Sequence, residues 1–321
     1  MKDGYKREID YLRISLTDRC QLKCQYCVPE AGIERMPIHQ LLTKEEIKQI
    51  VQVFAKLGVK KLKLTGGEPL LRPDLVSLVA ELKAIDGIEE MTLTTNGVGL
   101  AKVLDDLVEA GLDGVTLSLD TLDSLRYGLL TGRNQLQSVL LGLEQALKSS
   151  IKKVKVNCVV IKELNKDEIL EVAKLAKDQR VHVRFIEWMP LGANQKFTSV
   201  SEAEILKQLK DSYGSVKPFT EKLGNGPARY FEIEGFQGKI GFISALSHHF
   251  CRTCNRVRLT CNGFLKTCLY FDQGVDLKTA LATEELENQI LKALKLKPKS
   301  HDFNHQREAG RELKSMVQIG G

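Results

Sequence analysis

Cys20, Cys24 and Cys27 stand in the run Cys-Gln-Leu-Lys-Cys-Gln-Tyr-Cys, a Cys-x3-Cys-x2-Cys spacing directly after the strand-like segment 11–16. Three thiolates in one short loop can hold three corners of a cubic iron-sulfur cluster and leave the fourth iron open for chemistry. A zinc knuckle is the competing reading, but structural zinc takes four ligands and no histidine or fourth cysteine lies nearby. A second group, Cys251-x2-Cys254-x13-Cys268, follows His248 and His249. Its spacing alone suits either zinc, bound by three cysteines and a histidine, or another cluster. Cys261 falls inside the x13 interval, in the turn-like stretch 260–263, and reads as a free thiol. Cys158, in the apolar run 156–160, reads as a small buried hydrophobe.

Basic residues recur at alternate positions of β-like runs. Arg256 and Arg258 follow the second cysteine pair and project to one side of an extended segment, a pair of forked donors suited to a polyphosphate; a solvated basic patch is the alternative. Lys61 and Lys63 alternate in the same way, and Arg13, Lys155 and Arg184 sit inside other β-like runs. Burying an unpaired charge costs several kcal/mol, so these side chains are expected to face an interior anion site rather than covering helices. Gly66-Gly67-Glu68 permits close backbone approach and offers a carboxylate for an ammonium or hydroxyl group, a weak signal until it is placed one strand after a three-cysteine loop. The chain ends in Gly320-Gly321, a tail slim enough to thread a narrow pocket; a sulfur-carrier tail would need a small β-grasp pattern that is missing here.

The elements that must position these residues read clearly up to about residue 190. Short β-rich runs at 12–16, 61–65, 91–95, 114–119, 154–161 and 181–187 alternate with amphipathic stretches at 44–57, 74–83, 101–110, 135–148 and 166–177. Thr43 and Glu46 form a capping-box signal. This predicts an α/β fold, a partial (βα)6 TIM-like barrel whose carboxyl-end loops carry the motifs. Beyond residue 195 the alternation fails: 214–245 reads as short strands with Gly-rich turns, and 277–296 as helical. We divide the chain at 1–214, the partial barrel, and 215–321, an α+β region with the second cysteine group.

With 321 residues and 43% apolar content the chain can bury a real core. The eight cysteines, clustered rather than spread, fit metal ligation in a reducing, cytoplasmic setting better than disulfides. No stretch is apolar enough to span a membrane. The net charge of +6 comes without interleaved aromatics, which are 6% of residues, so a nucleic-acid surface is unsupported.

Cys20 to Cys27 with Tyr26 between the last two cysteines resembles the Cys-x3-Cys-x-aromatic-Cys signature of radical S-adenosylmethionine (SAM) enzymes. That resemblance implies that SAM chelates the open iron and is split reductively to a 5′-deoxyadenosyl radical, with Tyr26, Gly67, Ser118 and Met189 as SAM contacts. Segments 12–20, 65–72 and 184–190, the Cys-x2-Cys-x-Arg-x-Arg block and the diglycine end together resemble the GTP 3′,8-cyclases of molybdenum cofactor biosynthesis. This implies two [4Fe-4S] clusters, the second held by Cys251, Cys254 and Cys268. It further implies GTP contacts at Arg13, Lys63, Thr94, Lys155, Arg256, Val257 and Arg258, with Lys61, Arg184, Gly320 and Gly321 as additional neighbours. Lys63 stands where that family commonly has arginine. The implied reaction removes the ribose 3′ hydrogen of GTP and closes the sugar carbon onto C8, with no side chain as nucleophile. Implied partners are GTP, a reductant protein such as flavodoxin or ferredoxin and a downstream cyclic pyranopterin monophosphate synthase, with a homodimer left open. Rivals are a peptide-modifying radical SAM maturase and a metal-containing nucleotide-binding regulator without turnover.

Overall fold

The computed structural model describes residues 1–192, 196–283, 285–301 and 310–320. Strands β1 (Tyr11–Ser15), β2 (Lys61–Thr65), β3 (Glu90–Thr95), β4 (Gly114–Ser118), β5 (Lys153–Val160) and β6 (His182–Glu187) lie side by side in chain order, all parallel. Parallel neighbours need crossover helices, supplied by α1 (Lys44–Lys56), α2 (Leu75–Lys83), α3 (Leu104–Glu109), α4 (Ser124–Thr131), α5 (Leu136–Lys148) and α6 (Ile169–Asp178). The expected capping box opens α1: Thr43 accepts from the Glu46 amide while the Glu46 carboxylate accepts from the Thr43 amide. Ile47, Ile50, Val51 and Phe54 form its buried stripe against the sheet, and a fully buried side chain of this kind contributes roughly 1.5–3 kcal/mol.

The region after residue 195 is more closely joined to this sheet than its sequence pattern suggests. After α7 (Glu202–Tyr213) come β7 (Val216–Phe219), β8 (Arg229–Ile233) and β9 (Ile240–Ile243), and β9 pairs parallel with β6. Strand β10 (Arg256–Leu259) crosses the molecule to pair parallel with β1, followed by antiparallel β11 (Phe264–Lys266) and β12 (Gly274–Asp276). The result is one open twelve-stranded sheet, ordered β12-β11-β10-β1-β2-β3-β4-β5-β6-β9-β8-β7. The helical stretch 277–296 is two helices, α8 (Leu277–Ala282) and α9 (Leu286–Lys295), and the chain ends in the single turn α10 (Met316–Ile319). No helix among the described residues is long and apolar enough to cross a membrane.

Candidate active site

The carboxyl ends of the parallel strands open onto one chamber, lined by Cys20, Cys24 and Cys27 together with Gly67, Thr94, Ser118 and Met189. The cysteine loop is fastened from two sides. Gly67 donates to Thr17 O (2.6 Å) and Glu68 to Arg19 O (2.7 Å), while Lys23 and Gln25 donate to the last carbonyls of α4, Thr131 O (2.8 Å) and Leu130 O (3.0 Å). A Cβ at Gly67 would lie 2.3 Å from Arg19 O, so this approach is open to glycine alone. Glu68 does not face the chamber as the sequence suggested. It is fully buried and accepts from Thr95 Oγ1 (2.7 Å), Asn96 N (2.7 Å) and Leu70 N (3.0 Å), tying the β2 loop to the β3 loop. Burial pushes its carboxyl up to about 7.

Burial also raises all three thiols, Cys27 to about 12. They form no disulfide, and Cys20 Sγ receives Leu22 N (3.4 Å) and Asn96 Nδ2 (3.6 Å). Clustered thiols receiving N–H donors suit a metal-thiolate centre, since the metal displaces the protons that burial retains. Tyr26 lines the same chamber and its hydroxyl donates to Asp120 Oδ2 (2.6 Å); burial lifts Asp120 to about 6. Neither this partner nor the bracing by α4 was expected from sequence, although Asp120 ends the Ser-Leu-Asp motif after β4.

The basic side chains meet in the chamber's middle. Arg258, Arg13 and Lys63 stand directly opposite one another on β10, β1 and β2. Lys155, Arg184 and Arg256 join them in the lining. Like charges in cross-strand register are destabilising. Among the described residues Lys63, Lys155, Arg184, Arg256 and Arg258 form no ion pair; they reach neutral partners such as Thr116 Oγ1, 3.4 Å from Lys63 and 3.3 Å from Arg184. Burial first, then Arg184, Arg13 and Lys155 around it, depress Lys63 well below the usual lysine range. Burial, Arg184 and Lys153 bring Lys155 down to about 7. Two expected neighbours lie elsewhere. Lys61, at the opening residue of β2, pairs with Asp10 (2.5 Å) and is outside the lining. Val257 turns its side chain into the hydrophobic core, as alternation with Arg256 and Arg258 demands, leaving only its backbone for contact.

Cys251, Cys254 and Cys268 line a smaller cavity that shares Met189, Phe250, Arg256, Arg258 and Leu269 with the large chamber. The two cysteine groups therefore line adjoining cavities with a shared wall. Lys297, nearly fully buried, donates to Thr267 O (2.6 Å), Arg256 O (2.9 Å) and Cys254 Sγ (3.5 Å). Burial alone would raise the Cys254 thiol, but Lys297 and Arg256 outweigh it and hold it down to about 7. His248 sits beside Ser247 and Glu202, whereas His249 and His301 bring ring nitrogens within 4.8 Å of Cys251 Sγ. Cys261 is buried under the 42 region, with its carbonyl accepting from Leu42 N (2.7 Å), and lines neither cavity. Gly320 O accepts from Arg258 Nη1 (2.7 Å); Gly321 lies outside the described residues.

Comparison with known proteins finds two family models in succession along the chain. The Radical SAM superfamily model matches residues 14–176 and the Molybdenum Cofactor Synthesis C model residues 181–303. Among solved structures, Streptococcus suis SuiB bound to S-adenosylmethionine shares the fold, with a TM-score of 0.58 at 18% identity over 89% of this chain and 68% of that one. A GTP 3′,8-cyclase of Clostridium perfringens (strain 13 / Type A) is 43% identical over 325 residues, 100% of each chain. One from Moorella thermoacetica is 42% identical over 326 residues, again 100% of each. At this identity over the full length of both chains, the chain belongs to the GTP 3′,8-cyclase family of radical SAM proteins.

Proposed function

We propose that this chain converts GTP to (8S)-3′,8-cyclo-7,8-dihydroguanosine 5′-triphosphate, the first step of molybdenum cofactor biosynthesis. The observation that carries the reading is the rung of cations Arg258, Arg13 and Lys63 in cross-strand register, set between two cysteine groups that line adjoining cavities. A cavity of stacked cations is stable only when it awaits a polyanion, and a nucleoside triphosphate is one.

In this reading Cys20, Cys24 and Cys27 hold a [4Fe-4S] cluster, and Cys251, Cys254 and Cys268 hold another. When bound, the first centre with SAM supplies the adenosyl radical for hydrogen abstraction, and the second supplies an open iron for the purine. The chain's own residues position and exclude. Gly67, Ser118, Met189 and Tyr26 line the end where SAM binds, with Tyr26 oriented by Asp120. Arg13, Lys63, Lys155, Arg256 and Arg258 take the triphosphate, and Arg184, held by Asn157 Oδ1 (2.8 Å), stands beside them. Thr94 and the Val257 backbone complete the set, with Gly320 closing it through Arg258. Lys61, paired with Asp10 at the strand's far end, stays outside this set. Holding the ribose and purine close in a dry chamber is what makes ring closure outrun quenching of a radical by solvent.

A surface depression reaches Cys20 from outside, lined by Lys23 and Arg35 together with Asp18 and a Lys196–Glu30 ion pair; it is the opening through which a reductant protein such as flavodoxin or ferredoxin would deliver electrons. A downstream cyclic pyranopterin monophosphate synthase, a cytoplasmic location and a homodimer complete the proposal. The test is anaerobic incubation of the iron-sulfur-reconstituted protein with SAM, dithionite and GTP, followed by mass analysis. The reading requires 5′-deoxyadenosine together with a cyclised nucleotide of unchanged triphosphate; deoxyadenosine without any GTP-derived product would sink it.

A further inference from the structure

Lys266, on β11, is 1% exposed, and Glu312, near the chain's end, is 3% exposed. Nothing in the sequence pattern singles out either. The lysine ammonium donates to the Glu312 carboxylate and to Phe271 O (2.6 Å). Neither side chain lines the chamber or the smaller cavity beside it, so the catalytic reading leaves the pair without a task.

What the pair does hold is the start of the tail. Segment 310–312 is laid against 270–272: Glu312 N donates to Tyr270 O (2.7 Å), Asp272 N to Gly310 O (2.9 Å), and Phe271 bridges Arg311 in antiparallel fashion. The other oxygen of Glu312 accepts from Lys314 N (2.8 Å) and starts the turn into α10, which Ser315 and Gln318 cap reciprocally. From there the tail reaches both halves of the site. The Val317 backbone hydrogen-bonds the Cys27 thiol, Met316 lines the chamber, and Gly320 O accepts from Arg258. Gly320 has φ +80° and a Cβ there would lie 2.7 Å from Ser15 Cβ, so the tip fits only as glycine and is itself a poor anchor.

We propose that the buried Lys266–Glu312 ion pair is the latch that docks the carboxyl-terminal tail, and that both are positioning residues acting through Val317 on Cys27 and through Gly320 on Arg258. Removing one partner leaves the other charge buried and uncompensated. The structure relieves that most easily by releasing 310–320 to water. Removing both charges together leaves nothing to solvate, so an apolar pair should keep the tail docked. This separates a latch from a merely stabilising contact.

The experiment compares the reconstituted wild-type protein with Glu312→Gln, Lys266→Met, the double Lys266→Met/Glu312→Met and a chain ending at residue 315. Trypsin cleavage after the exposed Lys314, followed by intact mass, reads docking directly. Both single variants should be cut at least about tenfold faster than wild type and the double variant at nearly the wild-type rate, since cleavage follows the population of the open form. The second readout is 5′-deoxyadenosine formed per cyclised nucleotide, which rests on the proposed function. It should rise in the single variants toward the value of the truncated chain and return in the double. Single variants cut no faster than wild type, or a double variant as open as the singles, overturn the latch. If the singles do not fold, the double decides by the same two readouts. A wild-type chain that yields no cyclised product defeats the functional reading, while the tryptic comparison still decides the latch.

Discussion

The two cysteine groups line adjoining cavities but differ in electrostatic environment. Around Cys20, Cys24 and Cys27, burial raises every thiol, and the carboxylates add to it, Glu68 at Cys20 and Asp120 at Cys24 and Cys27. At the second group burial raises Cys251 as well, but at Cys254 Lys297 and Arg256 overcome it and hold the thiol near 7. Net charge and hydrogen bonding around thiolates set a cluster's reduction potential. An acid-flanked centre resists taking an electron and parts with it readily, as a centre that must reduce SAM should. A cation-flanked centre favours an anionic occupant, as a substrate-holding centre should. In the proposed function, this difference divides electron delivery from substrate anchoring by which charges surround chemically similar loops.

Substitutions at either end break the comparison, the first with the larger effect. In Gly67→Ala the new Cβ meets Arg19 O at 2.3 Å, and the cysteine loop must shift. A displacement on the scale of 1 Å costs about 100-fold in a positioned reaction, so 5′-deoxyadenosine formation should fall by that much while iron at the second group persists. Retained deoxyadenosine with full iron at both groups would show that the loop does not depend on this approach. Arg256→Ala and Arg258→Ala act on the other end. Each removes charge-assisted bonds worth about 1.5–3 kcal/mol, so cyclised product should drop roughly tenfold to a hundredfold while SAM cleavage continues. Unchanged product yield would remove both residues from the triphosphate site.

Much of this was legible in the sequence because it is local. Six parallel strands were readable to within about a residue, since each is a short, largely apolar run set between amphipathic helical stretches. The cysteine spacings and the alternation of Arg256 and Arg258 fixed which side chains would point together. What could not be read depends on contacts distant in the chain. Lys61 and Lys63 share a side by parity, but only the pairing with Asp10 shows that the first stays at the strand's far end. Lys297 meets Cys254 through packing of the last helix region, and β9 and β10 find β6 and β1 across the whole sheet. One miss was avoidable: Ser201 and Glu204 form the same capping box as Thr43 and Glu46, and α7 follows it.

Lys297→Met sharpens the second half of the comparison with a smaller effect. The substitution removes one ammonium that ties together Cys254, Arg256 and Thr267. Iron content should fall toward that of a single cluster and product by about tenfold, the scale of a lost charge-assisted bond, with deoxyadenosine formation intact. Equal loss from both groups would mean that Lys297 supports the fold rather than the second site.

The smallest effect is a pH dependence. Lys155 is brought down to about 7 by burial and by Arg184 and Lys153, so near neutrality a substantial fraction of the free protein carries it uncharged. A bound triphosphate restores the charged form, and binding above pH 7 must therefore take up a proton. Affinity for GTP should weaken as pH rises through 7 toward 9, by at most about tenfold per unit for one coupled proton. The sign is opposite to that of a carboxyl that must ionise to bind. Calorimetric titration at pH 8 in two buffers of different ionisation enthalpy counts the proton. Lys155→Arg, charged throughout, should abolish this proton uptake and flatten the profile. Proton uptake undiminished in that variant would assign the coupling to another group, with Lys63, depressed by the same neighbours, next in line.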